Sequence, residues 1–165
     1  MTTNYQLKAK SAAFTGHRSF EKGRLDQVKN DLCGAIRLAY SKGFRNFYCG
    51  MARGFDLLAA ETVCQMKTEF HDIELTAVVP CPEQCDKFPQ RDKFLYAKML
   101  NKADHIVTIS HAYYKRCFLD RNDYMIEHAS LLIAYYKEGK RGGTAYTIAK
   151  ARHNGLPIIH LYKNL

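Results

Sequence analysis

Six short apolar runs alternate with five amphipathic stretches along this chain, and that alternation restricts its fold more than any single motif does. The runs fall at residues 11–14, 46–49, 74–79, 105–109, 131–136 and 158–161. Glycine, proline or polar residues close most of them, as Gly50 and Pro80 do. Between them, Leu25, Val28, Leu32, Ile36 and Tyr40 recur at helical spacing, which predicts a helix over residues 20–42 stopped by Gly43. Further helices are predicted over residues 54–69, 92–101, 120–128 and 144–154, the last with Thr144 as its N-cap. Residues 131–136 fit either a helix or a buried strand, and their unbroken apolar content favours the strand. Strands and helices in strict alternation call for a mainly parallel sheet of about six strands with helices on both faces. At 165 residues without repeat or linker, a single domain over residues 1–165 is expected.

Composition narrows the partners. The 25 Lys and Arg against 16 Asp and Glu leave a net charge of +9, which favours an anionic partner. The basic residues are dispersed, so a solvated basic surface stands beside a continuous binding patch as a reading of that charge. No apolar run approaches the ~20 residues of a membrane span. Residues 1–8 lack the apolar core of a signal peptide, so a cytoplasmic location is expected. The six cysteines then read as thiols, with Cys33, Cys49 and Cys64 in apolar-patterned segments. Cys81 and Cys85 are spaced like two metal ligands, yet no second pair accompanies them, so a turn with two thiols and no metal is expected.

Parallel sheets place ligands beyond the carboxyl ends of their strands, so the loops there hold the candidate site. Thr15-Gly16-His17-Arg18 offers close backbone approach at Gly16 and a planar donor fork at Arg18. His17 fits a hydrogen-bond donor, an acid or base, or a turn cap. In the second loop Gly50, Met51, Gly54 and Asp56 lead into a helix, with two glycines four apart that match neither the P-loop nor the dinucleotide fingerprint. Asp56 suits either the helix dipole or a ribose hydroxyl. Glu61, five residues on, lies about 140° round the helix from it. In the third segment Arg121 and Asn122 precede Met125 and His128, and Arg121, Met125 and His128 share a helix face that reads as a pocket wall or as a buried ion pair. The fourth loop, with Gly142, Gly143 and Thr144 opening a helix, forms an anion-binding nest.

Phe14-Thr15-Gly16-His17-Arg18, the stretch 50–61, Arg121-Asn122 with Met125-Ile126-Glu127-His128, and Gly142-Gly143-Thr144 together resemble the SLOG superfamily, the Rossmann-like group named for the Smf/DprA and LOG proteins. Within it the similarity is to the YpsA-type SLOG family and spans roughly residues 12–161. The resemblance implies a Rossmann-like three-layer α/β/α domain with a nucleotide, or an NAD- or ADP-ribose-like ligand, at the strand ends. It implies site roles for Gly16, Arg18, Gly50, Gly54, Asp56, Glu61, Arg121, Asn122, Gly143 and Thr144. The LOG branch is similar in carrying Pro-Gly-Gly-x-Gly-Thr-x-x-Glu, but here residues 141–147 read Arg-Gly-Gly-Thr-Ala-Tyr-Thr. The missing Pro, Gly and Glu argue against LOG-type hydrolysis.

Three functions follow as expectations. The first is a nucleotide-binding or sensing module with no certain cofactor. The second is a nucleotide N-glycosidic hydrolase, with Glu61 or Asp56 supplying the carboxylate near the ribose. The third is a DprA-like nucleic-acid binder, for which the aromatics are poorly interleaved with Lys and Arg outside Tyr113-Tyr114-Lys115-Arg116. Association into a homo-oligomer is open.

Overall fold

The computed structural model describes residues 4–163. A short helix α1 (Asn4–Ala9) precedes strand β1 (Ser11–Gly16), and the chain then runs through α2 (Leu25–Ser41), β2 (Asn46–Cys49), α3 (Phe55–Met66), β3 (Glu74–Val79), a 3-10 turn (Pro82–Cys85), α4 (Gln90–Lys102), β4 (His105–Thr108), α5 (Cys117–His128), β5 (Leu131–Tyr135), α6 (Gly143–His153) and β6 (Ile158–His160). The six strands form one sheet in the order β4-β3-β2-β1-β5-β6. Every pairing is parallel, with Ala12 beside Phe47 on one side and Leu131 on the other. This is the Rossmann-like α/β sandwich that the alternation calls for. The chain steps outward from β1 to β4 and then returns past β1 to β5, so the order reverses between β1 and β5. That reversal opens a crevice at the carboxyl ends, where ligands bind in such sheets.

Two apolar layers hold the sheet. On one face α2, α3 and α4 pack side by side. There Val28, Leu32 and Ile36 meet Phe14, Phe47 and Leu75. The rings of Phe14 and Phe47 stack with centroids 5.8 Å apart. On the other face α5 and α6 bring Met125, Ile126, Ile148 and Ala151 against Ala13, Tyr48, Val78 and Leu132. β1 is covered on both faces, which explains why its sequence reads as continuous small and apolar residues. β4 and β6 are the edge strands, and Ile106 of β4 is half exposed.

Several boundaries differ from the pattern reading. The second helix starts at Leu25 rather than residue 20 because Gly23, at φ +78°, closes a turn just before it. α5 begins at Cys117, three residues before the acidic Asp120 that suggested a start. Residues 131–135 are a strand, as their apolar run favours. α1 carries no buried residue, so no apolar period marks it in the sequence. No described helix is long and apolar enough to cross a membrane.

Candidate functional site

The corner between β2 and α3 is built around Gly50 and Gly54. The Gly50 carbonyl accepts hydrogen bonds from Arg121 Nη1 and from Gln84 Nε2, the latter at 2.8 Å. A Cβ on residue 50 would stand 2.8 Å from that Arg121 nitrogen, so only glycine lets the guanidinium approach. Gly54 takes φ +76°, and a Cβ there would lie 2.3 Å from the Arg18 carbonyl oxygen. The two strand-end loops are therefore in backbone contact, and the Phe55 N–H donates to the His17 carbonyl at 3.1 Å. Between the glycines, buried Met51 holds a left-handed φ of 63°, a conformation that costs a non-glycine residue about 1 kcal/mol or more.

Asp56 sits in the first turn of α3 and is buried. Its Oδ2 accepts the Ala52 N–H at 3.2 Å, whereas Oδ1 is buried without a hydrogen-bond partner among the described residues. Burial pushes the Asp56 carboxyl up to about 6, against the opposing pull of the Arg121 guanidinium, the Ala52 N–H and Arg18. Arg121 is itself buried, and its Nε donates to Asn122 Oδ1 at 2.7 Å. A buried carboxylate with one orphan oxygen thus lies in the field of two guanidiniums. Arg18 is exposed, and its guanidinium makes no hydrogen bond or ion pair among the described residues.

The β1, β5 and α6 ends lock together on the other side. His17 Nε2 accepts the Lys137 N–H at 2.8 Å, and the ring lies against Tyr135 and Tyr136. Burial, then the charge of Lys140, hold the imidazole pKa below its usual value, with Glu21 opposing. The imidazole is therefore neutral with its proton on Nδ1, and its Nε2 lone pair is already used. Thr144 Oγ1 donates to the Gly16 carbonyl at 2.9 Å. Thr144 is not the N-cap: Gly142, at φ +129°, precedes α6, which starts at Gly143. Residues 137–143 are consequently pinned to the end of β1 at both ends. Thr15 is buried in β1 beside Ala134 of β5.

Not all the predicted residues gather here. Glu61 is far along α3, roughly 7.5 Å in axial rise from Asp56, in the neighbourhood of Cys64 with Lys67, Lys102 and Asp104. His128 is exposed at the far end of α5, its ring stacked on Tyr124 at 3.9 Å. Sharing a helix face with Arg121 was not enough, because seven residues of rise carry it ~10 Å from the strand ends. Cys81 and Cys85 stand in the turn after β3, where Cys81 is buried beside Cys117. Among the described residues no group of three or more His, Cys, Asp and Glu is placed to hold a metal ion.

The loops after β3 and β4 contribute walls that the sequence reading passed over. A cleft of about 550 Å3 is lined by Arg18, Arg53, Lys87, Phe88, Tyr113 and Phe118 among others. Its floor includes Gln84, which bridges the Gly50 carbonyl and the Tyr96 hydroxyl. The available signal was position: residues 80–89 also follow a strand, but they lack the glycines used to choose candidate loops.

A model of the YpsA family, described as the YspA SLOG family, matches residues 12–157. The chain belongs to this family. UPF0398 proteins are similar over most of their length: one from Bacillus cereus (strain B4264) is 28% identical over 155 residues, covering 88% of this chain and 84% of the relative. Another, from Bacillus cereus (strain G9842), is 29% identical over 158 residues with the same coverage. Among solved structures, the DNA processing protein A (DprA) of Streptococcus pneumoniae superposes with a TM-score of 0.69 at 20% identity, over 96% of this chain and 52% of DprA. The chain thus spans about half the length of that protein. The protein TM1055 superposes with a TM-score of 0.56 at 15% identity, over 90% of this chain and 72% of its own. At these identities the structural likeness speaks for the SLOG fold alone. All four loops read from the sequence fall inside the segment that the YpsA family model matches.

Proposed function

We propose that this SLOG domain binds a nucleotide-type anion at the carboxyl ends of its strands and acts as a binding or sensing module. One observation carries the reading: the 550 Å3 cleft joins three cations, Arg18, Arg53 and Lys87, to three aromatic rings, Phe88, Tyr113 and Phe118. Charge beside ring faces is what a phosphorylated base requires. Arg53 is partly engaged by Asp92 at 3.0 Å, and Lys87 shares the lining with the carboxylates of Glu83 and Asp86, which leaves Arg18 as the main phosphate contact. Backbone N–H groups at the start of α6 add anion preference. Calorimetry with AMP, ADP-ribose and NAD tests the reading on wild type and Arg18→Ala. Binding of at least one, weakened in the variant, is the expected result; no heat with any of the three would refute it.

Asp56 also gives a hydrolase reading a foothold, since a carboxyl at about 6 suits acid–base work near neutrality. Thr147, where the LOG motif has its Glu, instead donates to the Gly143 carbonyl at 2.9 Å. Release of adenine from AMP that disappears in Asp56→Asn would favour the enzyme. Binding without release favours the module.

A further inference from the structure

Arg18 is a wall of two hollows, not one. The second, of about 280 Å3, is lined by Arg18, Phe20, Tyr135, Lys137, Lys140 and Tyr162 among others. Every one of these follows or ends a strand at the same carboxyl edge: Phe20 after β1, Tyr135, Lys137 and Lys140 around the end of β5, Tyr162 after β6. The main cleft lies instead over the β2, β3 and β4 ends, with Ala52, Gln84 and Tyr113 in its wall. Arg18 is shared by both, and its guanidinium has no hydrogen-bond or ion-pair partner among the described residues.

The small hollow repeats the chemistry of the large one. It has ring surface, with Phe20 and Tyr162 each packed on Tyr135 at centroid distances of 5.6 Å. It has cations, with the Lys137 ammonium 6.0 Å from the Tyr162 ring centre and Lys140 free of ion pairs among the described residues. Its carboxylate, Glu21, is already committed: it accepts the Tyr162 hydroxyl at 2.8 Å and faces the Lys137 ammonium at 3.6 Å. The volume is below the ~300–1,000 Å3 of whole small-molecule sites, so it fits one sugar or ring rather than a nucleotide.

We propose that the site is bipartite: a pyrophosphate-bridged nucleotide lies across Arg18, its nucleoside in the large cleft and its distal sugar or ring in the hollow beside Tyr135 and Tyr162. Cations on both sides of Arg18 match two phosphates at the waist, where a nucleoside monophosphate supplies one. The inference rests on the nucleotide reading above and adds a second subsite to it.

A ligand ladder separates the two. Calorimetry with AMP, ADP and ADP-ribose is run on wild type, Lys140→Glu, Tyr162→Ala and Arg18→Ala, each checked for folding by circular dichroism. ADP-ribose is expected to bind wild type ~10-fold or more tighter than AMP. Lys140→Glu should weaken ADP and ADP-ribose but leave AMP unchanged, because Lys140 is exposed and outside the large cleft. Tyr162→Ala should remove only the gain from ADP to ADP-ribose, and Arg18→Ala should weaken all three. If AMP and ADP-ribose bind equally, or both hollow variants match wild type with ADP-ribose, the bipartite site is wrong and the nucleotide reading stands. If wild type binds none of the three, both fall.

Discussion

Replacing Asp56 with Asn should change how stability responds to pH, in a direction set by the burial of its carboxyl. The folded carboxyl takes up its proton at about 6 because burial penalises the charge, whereas the ordinary value is 3.8. Between those values the folded protein holds a proton that the unfolded chain has released, so the Asp56 contribution to stability falls as pH rises from about 4 to about 6. The full displacement corresponds to ~3 kcal/mol. Sampled between pH 4 and pH 7.5, the stability difference between Asp56→Asn and wild type should therefore widen by ~2.5 kcal/mol in favour of the variant. Every other titrating group contributes to both proteins and cancels. Urea titrations at the two pH values measure it directly. With a slope of ~2 kcal/mol per molar urea, the midpoints should separate by an additional ~1 M. Curves that stay parallel across the range would show that Arg121 and the Ala52 N–H fully offset the desolvation, and the account of Asp56 as a costly buried carboxylate would be wrong.

Three further changes probe the surrounding frame. Gly54→Ala places a Cβ against the Arg18 carbonyl at a left-handed φ and should destabilise by ~3 kcal/mol or more in the same urea assay. Thr144→Val removes the hydrogen bond to the Gly16 carbonyl, and a loss of ~1 kcal/mol is expected by thermal or urea unfolding. His17→Gln keeps an acceptor for the Lys137 N–H but cannot be protonated. The contribution of His17 to wild-type stability should be lost as pH falls below about 6.5, because the unfolded imidazole takes the proton first, so the stability difference between wild type and the variant should change there. The His17 and Asp56 slopes have opposite signs, so the two variants are distinguishable in one pH series.

The alternation of period announced the sheet and its two covered faces, because each depends on local spacing. Strand order was not legible: nothing in residues 131–135 says that they pair with β1 rather than with β4. The glycines at 50 and 54 drew attention for good reason, since close backbone approach leaves its mark on residue identity. Gln84 and Phe118 left none, because a side chain lining a cleft looks in sequence like any other polar or aromatic residue. Periodicity also misled at His128. It reports the direction a side chain takes from the helix axis, not how far along the axis it stands.

The return of the chain past β1 has a consequence for how the protein comes to exist on the ribosome. β1 pairs with β2 some 35 residues later, but Gly16 acquires its Tyr135 neighbour and the Thr144 hydroxyl only after about 120 to 130 residues. Until α5 and α6 emerge, Ala13, Tyr48 and Val78 face water on an uncovered sheet, while α2, α3 and α4 already close the opposite face. Such long-range closure is slow and leaves apolar surface exposed in the meantime. Translation therefore completes the scaffold of the nucleotide-sized cleft before the strap at residues 137–143. A nascent chain paused before residue 117 would carry β1 to β4 as a one-sided sheet, in want of a cover.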